Sequence, residues 1–484
     1  MQIFKILSRS KAFLILAAAS FLTHLPGITN PILDHHAWAQ TLRASLSRNY
    51  VEDGMNLMKP RYDYIETAGH NKSPQFPLYS YLAALLYKVF GIHDFLGRVL
   101  SAIFAAWAAV FLYLLAARFL EDRTAFLSSL VFCVIPIRIY FMRAFMPEAM
   151  AIFCLLAGFY FFIRWLDDDR DRFWPFGLAA SFLLALVPLL KIAYLWILLA
   201  PAFYVLKKRG AGFLKNWGFL LFSTIFIFMV GGWYARINLG AERTKGFLEQ
   251  LTNEMSIVKE WMDPRFWSIH FLSRFPELLT TYAGLVFFFV GLWKIWKEKI
   301  SFPLLWFVST VFYILLCGSY GRIHQYVSLP FAPVNAVFMA VGMVFLWDRW
   351  KNRKALAALW ILLTLSMPVH AALRIRHWYE PDQVWVLRAQ KVVEQISSPE
   401  DLFFIASPNQ PFYLYYIRRR GWTVPLEGEG QKFLEEALKK GAKFLFIPSG
   451  DPWVDFEVIR AWAGKNFPKV ADDPEFAIYD LTHR

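Results

Sequence analysis

Apolar segments long enough to cross a bilayer recur along most of the chain, separated by short polar loops. A helix needs about 20 apolar residues to span roughly 30 Å of hydrocarbon. We therefore predict a polytopic α-helical membrane protein with about eleven crossings, near residues 11–28, 95–118, 124–142, 147–166, 173–190, 191–206, 216–236, 277–296, 302–318, 324–347 and 354–374. The pair 173–190 and 191–206 is interrupted around Pro188 and Lys191, and is either a tight hairpin or one bent helix.

The distribution of basic residues predicts the orientation of these crossings. The first apolar run, "AFLILAAASFLTHLPGI", has no clear A-x-A cleavage site, so we interpret it as a retained helix and not as a signal peptide. With the N-terminus in the cytoplasm, the Lys- and Arg-rich loops also become cytoplasmic. Counting 76–91 as a crossing would reverse every later loop, and we assign it to the outer interface. Residues 1–374 are then the transmembrane domain, with a long outer loop over 29–94 that carries interfacial helices.

From residue 375 onward the pattern changes to alternating helices and strands. "QVWVLRAQKVVEQI" and "QKFLEEALKKG" have helical periodicity, and "LFFIA" and "KFLFIP" are typical of buried strands. "PFYLYYIRRRGW" predicts a helix that ends at Gly421. We predict an open-sheeted, Rossmann-like α/β domain over 375–484, on the extracytoplasmic side. It lacks G-x-G-x-x-G, so we expect no dinucleotide.

Composition narrows the class of protein. Only 18% of the 484 residues are charged, below the roughly 25% of soluble domains. The net charge of +14 is explained by cytoplasmic loops and anionic headgroups, and no motif indicates a nucleic-acid partner. All three cysteines lie in apolar segments, which predicts small core residues and not a disulfide framework.

Polar side chains that are costly near lipid concentrate in the loops predicted to lie outside. They are Asp34, His35, His36, Arg61, Asp63 and Lys72 in the first loop, Arg143 and Glu148 in the next, Lys191 at the following apex, His270 and Arg274 in the loop 237–276, and Arg322, His324 and Tyr326 before the tenth crossing. A carboxylate can act as general base toward a hydroxyl or amine, and cations can stabilise a phosphate leaving group. We predict that Asp34, Glu148 and these cations share one non-cytoplasmic cavity, for a donor whose phosphate lies at headgroup height and whose tail stays in lipid.

Each of the three main candidates also has a structural alternative. Asp34 could cap a helix. Glu148 follows Pro147 in a first helical turn, where the dipole favours acids. Lys191 could extend toward the headgroups without binding anything.

Several segments resemble membrane glycosyltransferases of the GT-C superfamily, particularly family 39, which includes protein O-mannosyltransferases and lipid A aminoarabinose transferases. These are "DHHAWAQ", "PRYD", "FPLYSYLAALLYKVFG…GRVLSAIFA" and "MRAFMPEAM", and the likeness covers about residues 1–200 and extends weakly to "RIHQYVSLPFAP". The resemblance implies an inverting transfer from a polyprenyl-phosphate sugar to an extracytoplasmic lipid A, glycan or protein. It also implies Asp34 as catalytic base, Glu148 as a second catalytic acid and Lys191 as a ligand of the donor phosphate.

One departure from the family concerns a metal. Relatives usually have a Glu just before the "PLY" segment, where a metal has been suggested to bind, whereas this chain has Gln75. An amide is a poorer cation ligand than a carboxylate, which disfavours a divalent metal there and leaves metal dependence open. His270 matches a family histidine only loosely, because its spacing to Arg274 differs by one.

Two other classes of function compete with an enzyme. A transporter or flippase of lipid-linked sugars is expected to have two related halves and charged residues near the middle of the membrane, whereas here polar residues gather on one face. A sensor or scaffold that uses the α/β domain for binding leaves Asp34 and Glu148 without a role. We therefore predict a hexosyl- or pentosyltransferase of the cell (inner or plasma) membrane.

Overall fold

The computed structural model describes residues 9–65, 75–168, 174–239, 257–408, 410–426, 430–449 and 455–483. The chain divides into two compact units. The first unit comprises Met1–Ile28, Pro74–Phe76 and Arg98–His377, and the second comprises Thr29–Ser73, Pro77–Gly97 and Trp378–Arg484.

The described part of the first unit is helical. Its α-helices are Arg9–Leu22, Asp94–Ala116 (whose first turn belongs to the second unit), Asp122–Cys133, Pro136–Phe141, Glu148–Leu166, Phe176–Leu190, Leu199–Arg209, Trp217–Leu239, Ile257–Met262, Pro264–Trp267, Tyr282–Lys297, Ser301–Leu316, Gly318–Ile323, Phe331–Trp350 and Lys354–Ile375. A π-helix covers Ser268–Thr280, and 3-10 turns cover Ile192–Leu198, Ala211–Lys215, Gln325–Ser328 and Arg376–Tyr379, whose last two residues belong to the second unit.

Several of these helices have the length and apolarity of membrane spans. Within the described residues, five meet both criteria: Asp94–Ala116, Glu148–Leu166, Trp217–Ile237, Phe331–Trp350 and Lys354–Tyr379. Pro264–Thr280 and Tyr282–Lys297 would form a sixth, bent by 97° at Thr281. The prediction of a polytopic helical protein is confirmed, while the count of eleven and the orientation remain predictions.

The third predicted crossing is divided. The segment 124–142 forms two helices, Asp122–Cys133 and Pro136–Phe141, and not one. Proline at the first position of the second helix has no N–H with which to continue the first.

A glycine pair brings two helices of the first unit into backbone contact. A Cβ on Gly291 would lie 1.8 Å from the carbonyl oxygen of Phe338, and one on Gly342 would lie 1.9 Å from that of Phe287. Tyr282–Lys297 and Phe331–Trp350 can therefore cross this closely only because both positions are glycine.

The second unit contains a five-stranded mixed sheet. Its strands are β1 (Leu402–Ile405), β2 (Arg420–Thr423), β3 (Ala442–Pro448), β4 (Lys469–Asp473) and β5 (Phe476–Asp480), in the order β2-β1-β3-β5-β4. The first three neighbours run parallel, and β5 is antiparallel to β3 and β4. The helices are Ala37–Glu52, Leu78–Phe90, Val386–Ile396, Pro411–Ile417, Gly430–Lys439 and Phe456–Asn466. The predicted small sheet is confirmed, and the predicted strands near 402 and 443 lie at its centre.

Gly421 corrects one predicted boundary. The helix Pro411–Ile417 ends at Arg418, which has the left-handed conformation, and Gly421 lies inside β2. A Cβ on Gly421 would lie 1.7 Å from the carbonyl oxygen of Phe403. Gly421 also pairs with the first loop, because its N–H donates to the carbonyl of Asp63 (3.0 Å) and its carbonyl accepts from Ile65 (2.6 Å). This glycine is needed for close strand contact and not for helix termination.

Candidate functional site

A buried ion pair in the first unit joins two of the predicted residues. Glu148 is the first residue of its helix, after Pro147, and its carboxylate is fully buried. Lys191 follows the last turn of Phe176–Leu190 in an extended conformation. Its Nζ lies 2.5 Å from Glu148 Oε1, and its side chain keeps 11% exposure against 0% for Glu148. Glu148 Oε2 has no hydrogen-bond partner among the described residues.

An aromatic turn adds a third predicted residue to this pair. Lys191 Nζ lies 5.1 Å from the ring centroid of Tyr326, which suits a cation–π contact. The Tyr326 hydroxyl is 2.5 Å from that of Tyr320, and the His324 ring stacks on Tyr326 at 5.3 Å. Tyr320 was not predicted, and only its place in "YGRIHQY" could have indicated it. We call Glu148, Lys191, Tyr320 and Tyr326 the ion-pair cluster.

Two residues predicted in the loop 237–276 lie instead on the π-helix Ser268–Thr280, and they hold the turn that carries Tyr320 and Tyr326. The Arg274 guanidinium donates to the carbonyls of Gly321 and Arg322, both at 2.5 Å. His270 is 4% exposed and packs against Gly321, where a Cβ would lie 3.4 Å from its ring. Arg322 lies 3.1 Å from the carboxylate of Glu260. Arg274 and His270 therefore shape the turn.

Arg143 is fully buried in the same unit. Its guanidinium donates to the carbonyl of Pro26 at 2.9 Å and lies 5.1 Å from the ring centroid of Tyr140. It thereby connects the loop before Glu148 to the turn that follows the first helix.

Asp34 lies in the second unit and is 2% exposed. Gln40 Nε2 donates to Asp34 Oδ1 at 2.5 Å. The N-cap of the following helix, Ala37–Glu52, is His36, in the left-handed conformation (φ 61°), and not Asp34. His35 stacks on Trp378 with a centroid distance of 4.6 Å. The buried carboxylate is therefore oriented by a side-chain amide.

The other predicted residues of the first loop have structural partners. Asp63 is buried and accepts hydrogen bonds from Arg48 (2.7 Å) and Asn49 (2.9 Å). Burial is the largest single influence and lowers the pKa of Arg48, but the Asp63 carboxylate together with Tyr415 and Glu52 raises it by more, so that pKa stays above its usual value. Arg61 is exposed and pairs with Asp53 at 3.2 Å. Lys72 lies outside the described residues, and substrate roles for these side chains remain predictions.

The described residues do not fit a bound metal. Across the described ranges, no group of three or more His, Cys, Asp or Glu side chains is placed to hold one. Gln75 precedes Phe76, whose N–H donates to the carbonyl of Leu189 at 2.8 Å. An amide at that position is a weak cation ligand, and we derive no step through a metal.

Comparison with known proteins finds a protein family that matches part of the chain and solved structures with a similar fold. Residues 72–234 match the family described as Dolichyl-phosphate-mannose-protein mannosyltransferase. Two proteins of Aquifex aeolicus (strain VF5), both described as uncharacterized, are similar in sequence. One is 25% identical over 329 residues (64% of this chain, 62% of that protein), and the other is 30% identical over 149 residues (31% and 33%). The matches thus span less than two thirds of either relative.

Solved structures match nearly the whole chain. ArnT from Cupriavidus metallidurans bound to undecaprenyl phosphate has a TM-score of 0.69 at 12% identity, covering 96% of this chain and 97% of ArnT. The Archaeoglobus fulgidus oligosaccharyltransferase tethered with an acceptor peptide has a TM-score of 0.65 at 14% identity, covering 93% and 70%. The chain therefore has a fold similar to those of ArnT and the archaeal oligosaccharyltransferase. The predicted GT-C resemblance is confirmed, and the family match includes Glu148 and Lys191 but not Asp34.

Proposed function

We propose that this GT-C protein moves one sugar from a polyprenyl-phosphate donor to an extracytoplasmic acceptor, with inversion at the anomeric carbon. The observation that carries the proposal is the ion-pair cluster. The matching family is named for a dolichyl-phosphate-mannose donor, and the similar ArnT structure binds undecaprenyl phosphate, which supports a donor of this chemical class.

The ion-pair cluster suits a phosphate leaving group. Glu148 is fully buried, whereas Lys191 is partly exposed, so the positive end of the pair is the end that a ligand can approach. When the sugar–phosphate bond breaks, the departing phosphate gains a negative charge, which a positioned ammonium stabilises. Glu148 and Tyr326 hold that ammonium in place before the reaction, so little reorganisation is needed as charge develops.

Asp34 supplies the base in this proposal. The acceptor hydroxyl or amine attacks the anomeric carbon, its proton passes to the Asp34 carboxylate, and the phosphate leaves with the electron pair of the broken C–O bond. Gln40 donates to Oδ1 of Asp34, which fixes the orientation of the carboxylate. Inversion follows from a single displacement without a covalent sugar–enzyme intermediate.

Release of the lipid carrier tests the proposal. Proteoliposomes containing the purified protein would receive undecaprenyl-phosphate mannose or dolichyl-phosphate mannose, with lipid A, an oligosaccharide or a peptide as acceptor. We expect acceptor-dependent release of polyprenyl phosphate, reduced about 100-fold or more in Asp34→Asn. Glu435→Gln, an acid-to-amide change at an exposed position of the same unit, should be without effect.

Two results would contradict the proposal. Full activity of Asp34→Asn would remove that residue as the base. Movement of intact donor across the bilayer, with no carrier released, would favour a flippase instead.

A further inference from the structure

The backbone on both sides of Asp34 is held by residues beyond 377, all within the second unit. The N–H of His35 donates to the carbonyl of Trp378 at 3.2 Å, and the carbonyl of Leu33 accepts from Asp382 at 2.9 Å. The N–H of Ile32 donates to the hydroxyl of Tyr416 at 2.8 Å. We call residues 30–36 the Asp34 segment.

The backbone groups that form these hydrogen bonds could bond to water instead only if the chain moved. Ile32 is 0% exposed, and Leu33 and Asp34 are each 2% exposed. A buried N–H or carbonyl that loses its partner is strongly disfavoured, so the segment stays where its partners are. The Asn30 amide adds a further bond, to the carbonyl of Tyr379 at 3.1 Å.

Tyr416 connects the Asp34 segment to a second anchor. Its hydroxyl accepts from Ile32 and lies 3.3 Å from Asp94 Oδ2, to which it donates. The neighbouring Tyr415 donates to Asp94 Oδ1 at 2.5 Å. Both tyrosines lie on the helix Pro411–Ile417, which directly precedes β2 of the sheet.

We propose that the C-terminal α/β domain positions the catalytic base, with Tyr416 as the positioning residue. The inference rests on the proposed function, because it assigns the domain a role through Asp34. Sugar transfer needs Asp34 aligned with the acceptor proton, and misplacing a catalytic group by about 1 Å can cost roughly 100-fold in rate. The domain is thereby part of the catalytic apparatus and not only a cover or an acceptor-binding module.

Adjacent tyrosines provide a matched test. Tyr416→Phe removes the hydroxyl that bridges Ile32 and Asp94, whereas Tyr415→Phe removes only bonds that do not involve the Asp34 segment. We expect Tyr416→Phe to lower kcat about tenfold, the effect of losing about 1.4 kcal/mol in the transition state. Affinity for undecaprenyl phosphate should be unchanged. Amide hydrogen exchange of residues 30–36 should be faster than in the wild type, and Tyr415→Phe should resemble the wild type in all three measurements.

Three quantities are measured: carrier release from undecaprenyl-phosphate mannose, binding of undecaprenyl phosphate, and amide hydrogen exchange. Equal kcat values for the two tyrosine variants would overturn the inference, as would faster exchange with unchanged kcat. If Tyr416→Phe is not recovered folded, Asn30→Ala, at a half-buried position, should give the same pattern, and wild-type kcat in that variant would also overturn it. Full activity of Asp34→Asn would instead reject the base itself, which separates failure of the proposed function from failure of the positioning role.

Discussion

The buried pair of Glu148 and Lys191 gives the sharpest prediction. At 2.5 Å and an effective dielectric of about 20, the attraction between the two charges is about 7 kcal/mol, most of which offsets the loss of hydration. Lys191→Met leaves a carboxylate with 0% exposure and no counter-charge, which costs about 3–5 kcal/mol. The double change Glu148→Gln with Lys191→Met removes both charges, so it should recover most of that stability.

Thermal unfolding in detergent and carrier release separate stability from function. We expect a clearly lower midpoint for Lys191→Met and a midpoint near that of the wild type for the double variant. Both should lose about 100-fold or more in transfer rate, because neither has the ammonium. Lys207→Met is the control, since this lysine is exposed near the end of Leu199–Arg209 and should change neither readout.

Two results would refute this reasoning. Equal midpoints for Lys191→Met and the double variant would mean that Lys191→Met does not leave Glu148 as an uncompensated buried charge. A double variant that keeps its transfer rate would mean that Lys191 takes no part in the chemistry.

Three further predictions concern packing, the first loop and topology. Gly342→Ala should lower the unfolding midpoint, because its Cβ would lie 1.9 Å from the carbonyl oxygen of Phe287. Gly232→Ala is the control, since its Cβ would have no atom within 4 Å. Equal midpoints for the two variants would contradict the close helix crossing. Asp63→Asn should destabilise the second unit by about 3 kcal/mol, measured by denaturant unfolding, since it leaves the buried Arg48 with only the half-exposed Glu52, at 3.9 Å, as counter-charge. A wild-type midpoint would argue against that role. His93→Cys should react from outside with a membrane-impermeant maleimide in intact cells, and protection would reverse the assignment of 76–91 to the outer interface.

Long apolar helices were predictable because each is specified by its own residues. The crossing predicted at 147–166 is the helix Glu148–Leu166, and that at 354–374 is Lys354–Ile375. The break at Thr281 lies inside the crossing predicted at 277–296 and was missed, although Pro276, directly before that segment, is a local signal for a bend. Gly421 was assigned to a helix end because glycine is common there. The structural reason for glycine is the Phe403 carbonyl, which leaves no room for a Cβ and lies on another strand.

The types of side chain in the site were predictable, but their partners were not. Glu148 and Lys191 stood out because charged residues near lipid are costly, and Tyr326 because it lies in a turn predicted to face outside. Their contact depends on how three separate segments pack, which local pattern does not encode. Asp63 was chosen for the same reason as Asp34, yet the structure gives it a buried arginine partner.

The sequence by itself determined a helical membrane protein with a small C-terminal sheet, because hydrophobic runs and periodicity are properties of consecutive residues. Only the tertiary structure decided which acid pairs with which cation, and that the segment carrying Asp34 is held by Trp378, Asp382 and Tyr416. Those bonds join residues far apart in the chain, and their formation depends on burial that excludes water from both partners at once.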